Sequence, residues 1–193
     1  MPLALWRSPL SRALHRNRAL PNSRYVQLAT VRPDGAPANR TIVFRGFLKD
    51  QNDLQFVTDR RSEKCEQIRH QALGELCWYF PKTREQFRIL GTLTLISMDT
   101  PEPPLQTVRH TLWQALSDNA RLQFAWPHPG NDRAEAAAFQ PESPSSSNPL
   151  PNFCALLIRA TQVDHLELRG EPQNRWLYQL DQTGVWTQIA INP

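Results

Sequence analysis

Between Arg40 and Gly91 the chain lays down four short runs of β-branched and aromatic residues, within Asn39–Leu48, Leu54–Thr58, Glu75–Phe80 and Gln86–Ile96. All but one of the joints are polar turns of a few residues, too short for the crossover helices that a parallel sheet requires. Such a pattern excludes a Rossmann unit and predicts an antiparallel barrel or sandwich. The same reading extends on both sides. Arg24–Arg32 alternates as a strand and turns at Pro33-Asp34-Gly35, where proline sets the turn angle and glycine accepts a positive one. Phe153–Arg159, Gln162–Leu168, Trp176–Leu180 and Trp186–Ile191 supply the last strands, with Asp181–Gly184 as a hairpin turn.

The one joint that is not a hairpin carries chemistry. Leu54–Thr58 ends in Asp59-Arg60-Arg61-Ser62-Glu63-Lys64, and Cys65 and Ile68 give Ser62–Gln71 a helical spacing. Ser62 and Lys64 therefore sit at a helix N-terminus, where free N–H groups and the helix dipole favour a phosphate. Arg40, from the preceding strand, supplies a second cation. These residues point to a phosphate-bearing ligand held between a strand and a helix start.

Composition narrows the classes. A length of 193 residues fits one domain with a proper core, and a net charge of +4 spread over scattered cations suits an anionic small molecule without the basic stripe of a nucleic-acid binder. Three cysteines, Cys65, Cys77 and Cys154, form no C-x-x-C pair, which argues for a reducing cytoplasmic setting. The five histidines lack metal-ligand spacing and read as surface or packing residues, so no metal site is expected. No apolar run approaches the ~20 residues of a membrane span. Ser8-Pro9 reads as a helix start for the basic N-terminal segment, with Leu10, Ala13 and Leu14 as its apolar face. Pro104–Ser117 is an amphipathic helix, followed by a second helical segment from Ser117-Asp118 to Phe124. Residues 134–152 are rich in proline and serine and read as a mobile loop inside a single 1–193 domain.

Four motifs stand in order: Arg40-x-x-x-x-Arg45, Phe56-x-Thr58-x-x-x-Ser62-x-Lys64, Arg84-x-Gln86-x-Arg88-x-x-Gly91, and Arg175-Trp176-Leu177-Tyr178-Gln179. Together they resemble the pyridoxamine 5′-phosphate oxidase family of FMN-binding split β-barrels, over residues 22–97 and 153–193, and look closest to a branch without an assigned substrate. The resemblance implies a β-rich α+β fold, an antiparallel Greek-key split barrel with a few peripheral helices. It also implies a homodimer with FMN at the interface and a small-molecule substrate. By the same resemblance Arg40 and Lys64 pair with the FMN phosphate, and Ser62 and Thr58 add hydroxyl hydrogen bonds. Thr41, Ile42, Val43 and Val57 lie along the flavin, while Gln86 and Arg175 address its polar edge. Arg45 stands where the family has a substrate lysine, and Arg121 is a further candidate anion contact.

The chain also departs from the family pattern. Glu63 replaces one phosphate cation, His165 stands where a tryptophan is expected, and the family's substrate-gripping Arg-x-His pair falls on Glu171 and Gln173. An FMN-dependent oxidoreductase with an altered substrate site is the leading expectation. A flavin reductase and a non-catalytic flavin-binding or sequestering protein are the alternatives, because no side chain here is required as nucleophile or general base.

Overall fold

In the computed structural model, which describes residues 3–193, nine strands form one wholly antiparallel sheet. The strands are β1 Tyr25–Val31, β2 Pro37–Val43, β3 Gly46–Phe47, β4 Leu54–Asp59, β5 Leu73–Phe80, β6 Glu85–Ile96, β7 Phe153–Glu167, β8 Asn174–Leu180 and β9 Trp186–Ala190. Four helices accompany them: α1 Arg7–Asn17, α2 Glu63–His70, α3 Pro103–Gln114 and α4 Asp118–Leu122. The strand order is β2-β1-β5-β6-β7-β4-β3, and β3 follows β2 directly in the chain, so the sheet curls until its two ends meet. At the seam the Phe44 ring packs on Phe47, Phe56 and Trp78 at centroid distances of 5.0, 5.9 and 4.9 Å.

β7 splits the barrel. One of its edges pairs with β6 along its length, while the other pairs first with β4 and then, from Gln162 on, with β8. Two strands were expected here, Phe153–Arg159 and Gln162–Leu168. They are one, because a bulge absorbs the extra residue: Gly91 faces Ala160 and Leu90 faces Gln162, which leaves Thr161 over. Gly91 permits the approach, since a Cβ there would lie 2.3 Å from the Arg159 carbonyl oxygen. Conversely, the single strand expected over Asn39–Leu48 is two. Phe44 turns into the core at 2 % exposure, and Gly46 takes a φ of +130° that other residues rarely adopt.

Alternation decides what lines the barrel. Val26, Leu28, Leu76, Trp78, Phe87 and Ile89 point inward and are fully buried, each worth about 1.5–3 kcal/mol of apolar transfer. Helix α1 closes one end with Trp6, Leu10 and Ala13. Its first turn begins at Arg7, ahead of the expected Ser8 start, and places Pro9 where an N–H would have had no acceptor inside the helix. On the other face of β7, Phe153, Ala155 and Leu157 meet Leu112 and Trp113 of α3 and Phe124 in a second core. Residues 134–152 run over this core and touch down where Trp113 Nε1 donates to the Ser145 carbonyl (2.8 Å) and Arg109 to that of Leu150 (2.7 Å). No helix among the described residues is long and apolar enough to cross a membrane.

Candidate functional site

The end of β4 is built by Asp59. Its carboxylate accepts from the Arg61 backbone N–H (2.8 Å) and takes a two-pronged ion pair from the Arg61 guanidinium, which turns the chain toward α2. Ser62 occupies the N-cap position but does not cap. Its hydroxyl donates back to the Asp59 carbonyl (2.7 Å), leaving its lone pairs to accept from Lys64 Nζ at 3.0 Å. Lys64 Nζ also donates to Thr58 Oγ1 at 3.1 Å, so one ammonium and two hydroxyls converge on a point.

Arg40 reaches the same region from β2. Its guanidinium donates to Thr30 Oγ1 (2.5 Å), Gln67 Oε1 (2.8 Å) and the Leu28 carbonyl (3.3 Å), and the Thr30 hydroxyl in turn donates to Gln67. All of these acceptors are neutral. Among the described residues neither Arg40 nor Lys64 pairs with a carboxylate. Burial holds the Lys64 ammonium below its ordinary pKa, and the Arg40 charge depresses it further, against the opposing pull of Cys65 and Asp59. Burial likewise lowers Arg40, with Arg32 adding to the effect and Glu63 opposing it. Two partly desolvated cations without a carboxylate in contact fit a phosphate dianion, which would satisfy both.

The remaining predicted flavin residues, Ile42 excepted, lie on the outer face of the sheet. Thr41 and Val43 face outward opposite Gln27 and Tyr25, whereas Ile42 points into the core at 7 % exposure and offers a ligand only its backbone. Gln86, Leu166 and Arg175 form one cross-strand row on that outer face. Arg175 makes a two-pronged pair with the buried Asp164 (3.0 and 2.8 Å), and Arg88 donates to the same carboxylate at 2.5 Å. Burial pushes the Asp164 carboxyl up, but the hydrogen bonds from Arg175 and Arg88 outweigh it and hold it below the usual carboxylate range. Val57 packs against the second core while its neighbour Thr58 turns to Lys64.

The two candidate substrate arginines do not form one grip. Arg121 is 6 % exposed, and its two terminal nitrogens donate to the carbonyls of Trp113 and Leu116 and to Asp118, so it staples the α3–α4 corner. Arg45 stands beside Arg24 and Tyr25, lowered by burial and then by Arg24. Glu171 and Gln173 line a cleft of about 700 Å³ at the β7–β8 turn together with Arg84 and Arg169. His165 is buried, stacks on Phe87 at 4.0 Å and sits 2.9 Å from Glu85 Oε2. Sequence reasoning missed Thr30, Gln67 and Asp164, the residues that hold Arg40 and Arg175. Their only signal is a polar side chain in an alternating strand or on a helix flank, which many surface positions share.

A family model described as the pyridoxamine 5′-phosphate oxidase FMN-binding domain matches residues 3–97. A protein from Arabidopsis thaliana named pyridoxine/pyridoxamine 5′-phosphate oxidase 2 is 38 % identical over 194 residues, covering 99 % of this chain and 98 % of its own. The crystal structure of a pyridoxamine 5′-phosphate oxidase-related, FMN-binding protein from Nostoc punctiforme superposes with a TM-score of 0.98 at 59 % identity, covering all of both chains. PhzG from Burkholderia lata, solved with tetrahydrophenazine-1-carboxylic acid, shares the fold alone: TM-score 0.79, 16 % identity, over 100 % of this chain and 94 % of PhzG. With the split barrel and the cation–hydroxyl cluster in place, the chain belongs to the FMN-binding pyridoxamine 5′-phosphate oxidase family.

Proposed function

We propose that this protein is an FMN-dependent oxidoreductase of the pyridoxamine 5′-phosphate oxidase type with a diverged substrate site. The observation that carries the reading is the convergence of Lys64, Thr58 and Ser62, with Arg40 beside them and, among the described residues, no acid paired to either cation. In this reading Arg40, Thr58, Ser62 and Lys64 hold the phosphate. The outer edge around Thr41–Val43, with Val57 behind the phosphate end, lies along the isoalloxazine, and Gln86 and Arg175 meet its polar edge. FMN supplies the electron-accepting ring when bound. The chain's own residues bind, orient and shield it, with Asp164 keeping Arg175 in one place.

The dimer belongs to the same proposal. Tyr25, Leu73, Tyr79 and Ile189 leave 43–49 % of their surface exposed, and all four lie on the outer face with Gln86 and Arg175. An apolar face of this kind supports pairing with a second copy across the flavin. A reducing cytoplasmic setting is supported by three free cysteines. The diverged substrate site rests on Glu171 and Gln173, which put an acid and an amide where the family has arginine and histidine. The test is flavin selectivity of the apo-protein. FMN should bind far more tightly than riboflavin, and equal affinity for the two would sink the phosphate assignment.

A further inference from the structure

A second cleft adjoins the phosphate end of the site. It encloses about 430 Å³ and runs from Ser62 and Lys64 to a wall that includes Trp126, Arg133 and Phe139. The Trp126 and Phe139 rings meet edge to face at 5.7 Å, and the Arg133 guanidinium lies 4.6 Å above the Phe139 ring. Arg133 makes no ion pair with a carboxylate among the described residues. Arg61 also lines the cleft, but it is spent on Asp59 and on the carbonyls of Phe124 and Trp126, so it builds the wall and neutralises Asp59. The other acid of the lining, Asp132, is solvent-exposed.

An aromatic wall and a cation without a carboxylate partner suit a planar heterocycle joined to an anion. Position selects among such ligands. With the flavin ring on the outer face at Gln86 and Arg175, this cleft meets the cofactor only at its phosphate, where a redox substrate would be out of contact with the ring. An extension of the cofactor through that phosphate has no such difficulty. We propose that the cleft receives the adenylate half of FAD, so that the protein accepts the dinucleotide as well as FMN. The first phosphate sits at Thr58, Ser62 and Lys64, the second faces the wall that carries Arg133, and the adenine lies against Trp126 and Phe139. This inference rests on the phosphate placement given under the proposed function.

Isothermal titration of the flavin-free protein with FMN and FAD tests it. FAD should bind within tenfold of FMN. Arg133→Ala and Phe139→Ala, both at exposed or half-exposed loop positions, should weaken FAD at least tenfold while leaving FMN within twofold and thermal melting unchanged. Lys64→Ala should weaken both nucleotides. FAD binding more than tenfold weaker than FMN, with FMN still dependent on Lys64, refutes the inference and spares the phosphate site. Equal effects of the wall variants on the two nucleotides refute it as well. If Lys64→Ala spares both nucleotides, the phosphate placement fails and takes the inference with it.

Discussion

Replacing Lys64 with methionine isolates the phosphate contact, because methionine keeps most of the side-chain volume and removes only the charge. The Lys64 ammonium donates to two hydroxyls, Thr58 Oγ1 and Ser62 Oγ, and its pKa is depressed chiefly by burial. Its folded pKa lies below the ordinary value, so near neutral pH the charge is a cost to the folded state that is relieved only as pH rises through the depressed pKa. Lys64→Met should therefore leave the melting temperature of the flavin-free protein unchanged or slightly raised. FMN binding should respond in the opposite direction. One charge-assisted contact is worth about 1.5–3 kcal/mol, and losing a partner of a buried charge pair about 2–5 kcal/mol. The ammonium is only partly buried, so the lower half of that span applies: roughly 2–3 kcal/mol, or about 30- to 150-fold in Kd. Riboflavin has no phosphate and should bind wild type and variant alike. Isothermal titration with both flavins at low and physiological salt reads the difference. Equal loss for FMN and riboflavin would mean that Lys64 shapes the pocket without touching phosphate, and no loss for either would place the phosphate elsewhere.

FMN-loaded protein should oxidise pyridoxamine 5′-phosphate weakly at micromolar substrate. Two lost donors and an added carboxylate weaken a phosphorylated substrate by several kcal/mol, on the order of a thousandfold, and a low-micromolar KM with brisk aerobic turnover would refute the reading of Glu171 and Gln173. Asp164→Asn should destabilise the protein by about 1–3 kcal/mol in urea at neutral pH, a figure kept low because Arg88 and Arg175 are partly hydrated. The Asp164 pKa is lowered on folding, so its stabilisation is present above the ordinary carboxylate value of 3.8 and is lost as pH falls below it; the gap between wild type and variant should close in that range, and a constant gap would contradict the ion-pair account. Gly91→Ala should cost about 1–3 kcal/mol or more through its collision with the Arg159 carbonyl, and urea midpoints equal to wild type would show that the bulge can move. Light scattering of the FMN-loaded protein should report twice the 22.2 kDa chain mass, and a monodisperse single chain would overturn the dimer.

The antiparallel class, the hairpin at Pro33-Asp34-Gly35 and the helix opening after Ser62 were legible in the sequence, because alternation and turn chemistry act over a few residues. The Thr58–Ser62–Lys64 cluster was legible for the same reason: strand end, turn and first helical turn are contiguous, so their side chains meet whatever the rest of the chain does. Tertiary structure decided what local pattern leaves open. Arg45 and Arg121 are both arginines in polar surroundings, yet one stands beside a second cation while the other is buried against backbone carbonyls of its own corner. Whether a guanidinium is spent depends on how the chain around it turns, and in Arg121 the α3–α4 corner folds its own carbonyls back onto the side chain. The merging of two expected strands into β7 depended on a distant residue, Gly91, whose missing Cβ lets the bulge form. Arg40 owes its place to Thr30 and Gln67, and Arg175 to Asp164, partners 10, 27 and 11 residues away that only the folded sheet brings within hydrogen-bonding distance.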